Sequence, residues 1–342
     1  MNPILYLIVP CYNEELVLPK TYQVLCAKIQ SMIAHNLIAP TSAIVFVDDG
    51  SKDQTWKVLN TLLHNCPPSL PPPPETDFVA HCHSPQTIAL KLSTNKGHQN
   101  ALLAGLEYAS TRCDCAISID CDLQDDIDVL ESFIQKFLDG SEVVYGVRKK
   151  RQSDSGFKKY TALGFYKLMN LMGVKLIYNH ADYRLLSQRA IKALMEFKEV
   201  NLFLRGMVPL LGYQHDVVYY DRLSRELGES KYPLRKMLSF AWNGITSFSI
   251  MPLRLVSILG FVFFILSLGL GAYALYVKLF TDNALWGWAS TIIPFSFFSG
   301  VQLLSLGIIG EYIGKIYTES KHRPRYFIED IQESNCVDSH NA

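Results

Sequence analysis

The chain has 342 residues, 49% apolar and 19% charged, with 32 Lys plus Arg balancing 32 Asp plus Glu. A net charge near zero leaves a nucleic-acid partner, held by a broad basic field, without support. The length suits about two domains, and the ionisable residues are concentrated before Arg254.

Short apolar runs rich in branched side chains alternate with helical patterns along the first half. ILYLIVP (4–10) predicts a strand followed by a helix from about Glu14. SAIVFVDD (42–49), TIALKLS (87–93) and CAISIDCD (115–122) predict three more strands, with helices from about Asp53, His98 and Ile127. The first residues carry no basic leader region and turn acidic early, so they read as the first strand unit and not as a secretory signal. The alternation predicts an α/β fold: a Rossmann-like, mostly parallel sheet with helices on both faces. Ligands of such sheets collect beyond the carboxyl ends of the strands. Residues 10–14, 48–51 and 120–124 all fall on that edge. Between them, the proline-rich stretch 66–78 (CPPSLPPPPETDF) reads as an extended, solvated loop.

The second half changes character. A basic stretch after Tyr145 runs into an amphipathic pattern, and residues 233–250 place Leu234, Met237, Leu238, Ala241, Trp242, Ile245 and Phe248 at helical spacing. That stripe either lies on a membrane surface or packs on the preceding domain. Residues 255–277 and 287–310 contain no charged side chain and exceed the threshold of about 18 residues for a membrane-spanning helix. Arg235, Lys236 and Arg254 precede this pair and Lys315, Lys321, Arg323 and Arg325 follow it, whereas the connection offers only Lys278. The positive-inside rule then places both ends in the cytoplasm. The expected organisation is a cytosolic domain (1–232), an interfacial helix (233–250), a transmembrane hairpin (251–316) and a cytosolic tail (317–342). In a reducing compartment the eight cysteines are expected as core thiols. Neither Cys113-x-Cys115 nor the HCH of 81–83 has the spacing of a common zinc finger or ribbon.

The acids at the lip of the fourth strand carry the chemistry. Asp120 and Asp122, with the carboxamide of Gln124, offer oxygen donors that can meet at one point, as hard cations such as Mg²⁺ or Mn²⁺ require. Such sites use one or two carboxylates and complete the shell with substrate phosphates, so a pyrophosphate is the expected partner. Asp125, Asp126 and Asp128 read instead as acids opposing a helix macrodipole.

PCYNEE, VDDGSKDQT, NKGHQNALLAGLEYA and DCDLQDD, in this order and followed by two spans, resemble family 2 glycosyltransferases of the glycosyltransferase A fold. RELGESKYP and LGIIGEYIGKIYTESKHRPRY are similar to the polyprenyl-phosphate sugar synthases among them, the dolichyl- and bactoprenyl-phosphate enzymes. The resemblance runs from Pro3 to about Ile328, with the proline-rich loop as the clearest departure. It implies a membrane-anchored, inverting, metal-dependent hexosyltransferase that uses Mg²⁺ or Mn²⁺, a nucleotide sugar (UDP-glucose-like) and a polyprenyl phosphate lipid. It also implies a multi-pass protein of the bacterial plasma membrane and a homo-oligomer, with a tetramer matching the bacterial relatives.

Residue by residue, the resemblance implies that Pro10, Tyr12, Glu14 and Asp49 hold the base and ribose, and that Asp120, Asp122 and Gln124 hold metal and pyrophosphate. Arg148, Arg225 and Lys231 match cations that grip the phosphates; the alternative for these three is a solvated basic surface. Lys158 and Lys159 fall where basic residues meet the acceptor phosphate. Asp182 and Arg184 match a segment with a structural or sugar-facing role. Two rivals stay open: a processive polysaccharide synthase, whose QxxRW stretch is replaced here by NLFLRGM, and a non-catalytic scaffold that binds a nucleotide sugar.

Overall fold

The computed structural model describes residues 2–64, 85–149, 180–200, 202–221, 250–280 and 288–334. The proline-rich loop, Lys158, Lys159, Arg225, Lys231 and the amphipathic stretch up to 249 lie outside the described residues. Those that are described divide into two compact units, one comprising residues up to 221 together with Arg323 onward, the other residues 250–322.

The first unit is built on one eight-stranded sheet. In chain order its elements are β1 (Leu5–Cys11), α1 (Leu18–Ala34), β2 (Ala43–Asp48), α2 (Thr55–His64), β3 (Gln86–Leu92), α3 (His98–Ala109), β4 (Cys115–Ser118), α4 (Leu130–Leu138), β5 (Val143–Arg148), β6 (His180–Ser187), α5 (Gln188–Met195), α6 (Leu204–Leu210), β7 (His215–Tyr220) and, after the second unit, β8 (Ile328–Glu333). The strand order is β7-β5-β6-β4-β1-β2-β3-β8. Every residue of β1, β2 and β4 is buried, which is why these runs are continuously apolar instead of alternating. Helix α1 buries Leu18, Tyr22, Leu25, Cys26, Ile29 and Met32 at three- and four-residue spacing. Helix α3 passes so close to the sheet that a Cβ on Gly105 would lie 2.4 Å from Ile8 Cγ2. Cys11, Cys26, Cys113, Cys115 and Cys121 are buried free thiols.

The parallel set β3-β2-β1-β4 is flanked by a reversal. Strand β6 runs antiparallel to both β4 and β5, so its first residues meet the carboxyl end of β4, and β5 regains the direction of β4. Strand β7 pairs parallel with β5, Arg148 opposite Tyr220. One sheet edge therefore collects the carboxyl ends of β1, β2, β3, β4, β5 and β7 and the start of β6. The sheet is mixed, because β8 also adds antiparallel to β3. Strand β8 falls in the stretch that the sequence separates as a tail. It is held by Lys91–Glu329 at 3.1 Å, by Tyr108 Oη donating to Glu333 at 2.7 Å, and by Tyr326 bonding Glu107.

The second unit contains α7 (Met251–Phe280) and α8 (Trp288–Ser320). Both are long and apolar enough to cross a membrane, over Met251–Gly269 and Phe297–Ser320. Phe263 meets Phe297 and Phe298 edge-on at ring separations of 5.6 and 5.4 Å, while Phe261, Leu303 and Leu304 point outward. A helix apolar on all sides and left uncovered belongs in lipid.

Candidate active site

The loops after β1 and β2 are stitched to each other. Asn13, in the left-handed region at φ 55°, donates its N–H to Ser51 Oγ (2.9 Å) and accepts at Oδ1 from the Lys52 N–H (2.9 Å). The Glu14 N–H donates to Thr55 Oγ1 at 2.9 Å, and Asp53 accepts from the Thr55 N–H at 3.0 Å at the start of α2. Tyr12 stands out of this scaffold, 39% exposed, whereas Pro10 is buried within β1.

Asp48 and Asp49 are buried side by side but act differently. Asp48 Oδ1 accepts from the Ser51 N–H (3.2 Å), while Oδ2 is buried and has no hydrogen-bond partner among the described residues; burial raises its pKa. Both oxygens of Asp49 accept from backbone, the Lys96 N–H at 2.7 Å and the Gly97 N–H at 2.8 Å. Asp49 thus fixes the loop that launches α3. Gly50 (φ 62°) completes the turn where a Cβ would press on the Thr94 backbone at 2.6 Å, a position only glycine fills without strain.

Beyond β4 the acids spread out. Asp120 stands at the sheet edge with 38% of its side chain exposed. Burial pushes its carboxyl up to about 6; His98 opposes the rise, and Asp125, Asp182 and Asp122 add to it. Leu123 adopts φ 53°, and Asp122 Oδ1 accepts from the Gln124 N–H at 3.2 Å. Gln124 itself is 95% buried, with only 5% exposed. Asp126 caps the following turn through the Asp128 N–H (3.0 Å), and Asp128 and Glu131 share Lys28. Asp125 departs from the helix-terminus role read in the sequence. It is buried, and its Oδ1 accepts from Tyr220 Oη at 2.6 Å and Arg148 Nη2 at 3.3 Å. Arg148 also donates through Nε to Tyr220 Oη at 3.2 Å.

The reversed strand β6 brings a further carboxylate, Asp182, to the edge. Asp182 accepts from Arg184, and from Arg205 through Nε (3.2 Å) and Nη2 (3.0 Å). Burial would raise the Asp182 carboxyl, but Arg205 and Arg184 hold it far below the usual carboxylate range. Arg184 is only 2% exposed and donates to the Leu204 carbonyl. His98, the first residue of α3, completes the group, with Nε2 3.6 Å from Asp120 Oδ1 and 4.0 Å from Asp182 Oδ2.

The fold thus groups Asp120, Asp122, Asp125 and Asp182 with His98, and sets Arg148 against Asp125. Tyr12, Glu14 and Asp49 sit on the neighbouring β1 and β2 loops. His98, Arg205 and Tyr220 are the site residues that sequence reasoning passed over. Only the GHQ stretch that opens α3 carried a local signal; Arg205 and Tyr220 arrive through tertiary pairing. Among the described residues, no three His, Cys, Asp or Glu side chains form a cluster that could by itself hold a metal ion.

A mixed α/β sheet with an acid-rich carboxyl edge and a two-helix apolar hairpin defines a membrane-associated glycosyltransferase. The chain belongs to glycosyl transferase family 2, which matches residues 6–195, and residues 251–316 match the GtrB C-terminal hairpin. It is 50% identical to the uncharacterized glycosyltransferase YkoT of Bacillus subtilis, over 96% of this chain and 92% of the relative. It is 37% identical to the bactoprenol glucosyl transferase of Shigella phage SfV, over 96% and 98%. It is 33% identical to the prophage bactoprenol glucosyl transferase homolog of Escherichia coli K12, over 96% and 99%.

Proposed function

We propose that this glycosyltransferase moves a glucosyl unit from a nucleotide sugar, UDP-glucose foremost, to a polyprenyl phosphate at the cytoplasmic face of the bacterial plasma membrane. The observation that carries the reading is the acidic group around Asp120 and Asp122 at the sheet edge, in a chain that carries the GtrB C-terminal hairpin over residues 251–316 and is similar along nearly its whole length to bactoprenol glucosyl transferases. The residues fit a divalent cation: Asp120 is a carboxylate crowded by other carboxylates, the surroundings that Mg²⁺ or Mn²⁺ relieves. Asp120 and Asp122 would hold it, with Gln124 beside them, and the bound ion would neutralise charge on the leaving diphosphate.

The chain's own residues have three tasks. Tyr12, Glu14 and Asp49, with Pro10 beneath them, shape the nucleoside pocket; for Asp49 the hydrogen bonds from residues 96 and 97 support an indirect part in this. Arg148, with Arg225, Lys231, Lys158 and Lys159, grips the phosphates of donor and acceptor. Alignment does the rest. An oxygen of the lipid phosphate is already ionised near neutral pH, so no general base has to remove a proton. It attacks the anomeric carbon as the bond to the nucleotide diphosphate breaks, inverting an α-linked donor to a β-linked product.

The catalytic portion (1–232), the interfacial helix (233–250), the hairpin (251–316) and the tail (317–342) follow as functional divisions. Strand β8 comes after the hairpin yet pairs with β3 from before it, which supports both ends lying on one side of the membrane. A homo-oligomer, such as a tetramer, fits a hairpin with so much outward apolar surface.

The test is incubation of the purified chain with undecaprenyl phosphate, Mn²⁺ and a panel of labelled nucleotide sugars. Organic-extractable label from UDP-glucose, released by mild acid, is the expected result. Transfer to a hydroxyl acceptor, or binding without transfer, overturns the proposal.

A further inference from the structure

We infer that Tyr220 and Asp125 are positioning residues that fix the guanidinium of Arg148 against the loop bearing Asp120, Asp122 and Gln124. The inference rests on the reading of Arg148 as a phosphate-gripping residue. Arg148 and Tyr220 are the last residues of β5 and β7 and pair in register across the two strands. Asp125 enters from the loop after β4. The three side chains close a triangle: Tyr220 Oη donates to Asp125 Oδ1 (2.6 Å), Arg148 Nη2 donates to the same oxygen (3.3 Å), and Arg148 Nε donates to Tyr220 Oη (3.2 Å).

The Tyr220 and Asp125 corners are restrained from outside. The Tyr220 ring stands edge-on to Tyr183 at 5.3 Å, and Tyr183 in turn packs on Phe133 at 4.8 Å. Tyr183 Oη donates to the Asp126 carbonyl at 3.0 Å, so the loop is pinned through both the Asp125 side chain and the next backbone group. Asp125 and Tyr220 are buried, whereas 23% of the Arg148 side chain reaches solvent at the sheet edge. A buried acid and phenol that converge on a partly exposed guanidinium restrict its rotamers where a phosphate would meet it, and a charge-assisted geometry set before binding removes the cost of ordering. The same triangle sets the spacing between the acidic loop and the cation, the two sides between which a diphosphate would lie.

A double-mutant cycle on the purified full chain, with UDP-glucose, undecaprenyl phosphate and Mn²⁺, tests this. Tyr220→Phe removes one hydroxyl and is expected to lower kcat/KM about tenfold, while adding less than about twofold in an Arg148→Ala background, because a residue acting through Arg148 has nothing left to position. Asp125→Asn, assayed the same way, is expected to give the same non-additive pattern, and it supplies the answer should Tyr220→Phe fold poorly. Effects that multiply in full, with a lowered melting temperature, or a wild-type rate in both single variants, overturn the inference. An Arg148→Ala enzyme with wild-type kcat/KM would instead strike the underlying assignment of Arg148, and is read separately from the cycle.

Discussion

His98 Nε2 lies 3.6 Å from Asp120 Oδ1, so the first residue of α3 faces the carboxylate that follows β4. The loop before His98 is fixed by Asp49, which grips the N–H groups of residues 96 and 97. A continuous set of contacts therefore runs from the β2 loop to the acid after β4, and His98 is the joint.

That joint has a pH signature. The Asp120 carboxyl is pushed up to about 6, and His98 is the neighbour that opposes the rise. With Asp120 needed as the anion, kcat/KM at low metal concentration should climb as pH rises through about 6. Replacing His98 with Ala removes the opposing influence, so the acid limb should move to higher pH, whereas a loss of general structure would lower the profile without displacing it. The measurement is kcat/KM between pH 5 and 8 for both proteins, at fixed sub-saturating Mn²⁺.

Asp122→Asn should lower turnover at least about a hundredfold, with the melting temperature and membrane partition of the parent, because the change removes charge from the crevice and keeps shape. Chelation of divalent ions should do the same to the wild-type protein, and added Mn²⁺ should restore it. Activity that survives exhaustive chelation would remove the metal from the scheme.

Asp182 holds a structural charge. Arg184 is 2% exposed and has Asp182 as its ion-pair partner, so Asp182→Ala strands a buried guanidinium at a cost of about 3–5 kcal/mol. The sign of the pH dependence follows from the depressed carboxyl. The stabilisation is complete above the unfolded carboxylate value of about 3.9 and is lost as pH falls toward the lower folded value. Urea unfolding of the first unit's fluorescence at pH 7 and pH 3 should show the variant's deficit at pH 7 shrinking in acid.

At Gly105 α3 packs directly on the sheet. An added methyl would meet Ile8 Cγ2 at 2.4 Å and Val47 Cγ2 at 3.0 Å, both on strands buried from end to end. Gly105→Ala should therefore destabilise by about 1–3 kcal/mol although alanine is the better helix former. Denaturant midpoints of the two proteins check the sign.

The four strand-and-helix units of the first 138 residues were legible because burial on both faces leaves a strand few polar positions, so LYLIVPC and AIVFVD announce themselves. The two long apolar helices were legible for the corresponding reason in lipid. Asp120 and Asp122 stood out because acids directly after an apolar run have few structural uses. Asp125 did not: its neighbours Asp126 and Asp128 do serve the helix start, and a linear pattern gives no sign that Tyr220, 95 residues later, would cover one acid and not the others.

By itself the sequence determined which segments are buried, which are long and apolar enough to cross a membrane, and where acids meet a strand end, since hydrophobic periodicity and local charge are properties of neighbours along the chain. The tertiary structure alone decided that β6 runs backwards and carries Asp182 to Asp120, that Arg148 is braced from β7, and that β8 returns to β3. Those relationships depend on the order and direction of strands, which is set by packing among residues far apart in the chain.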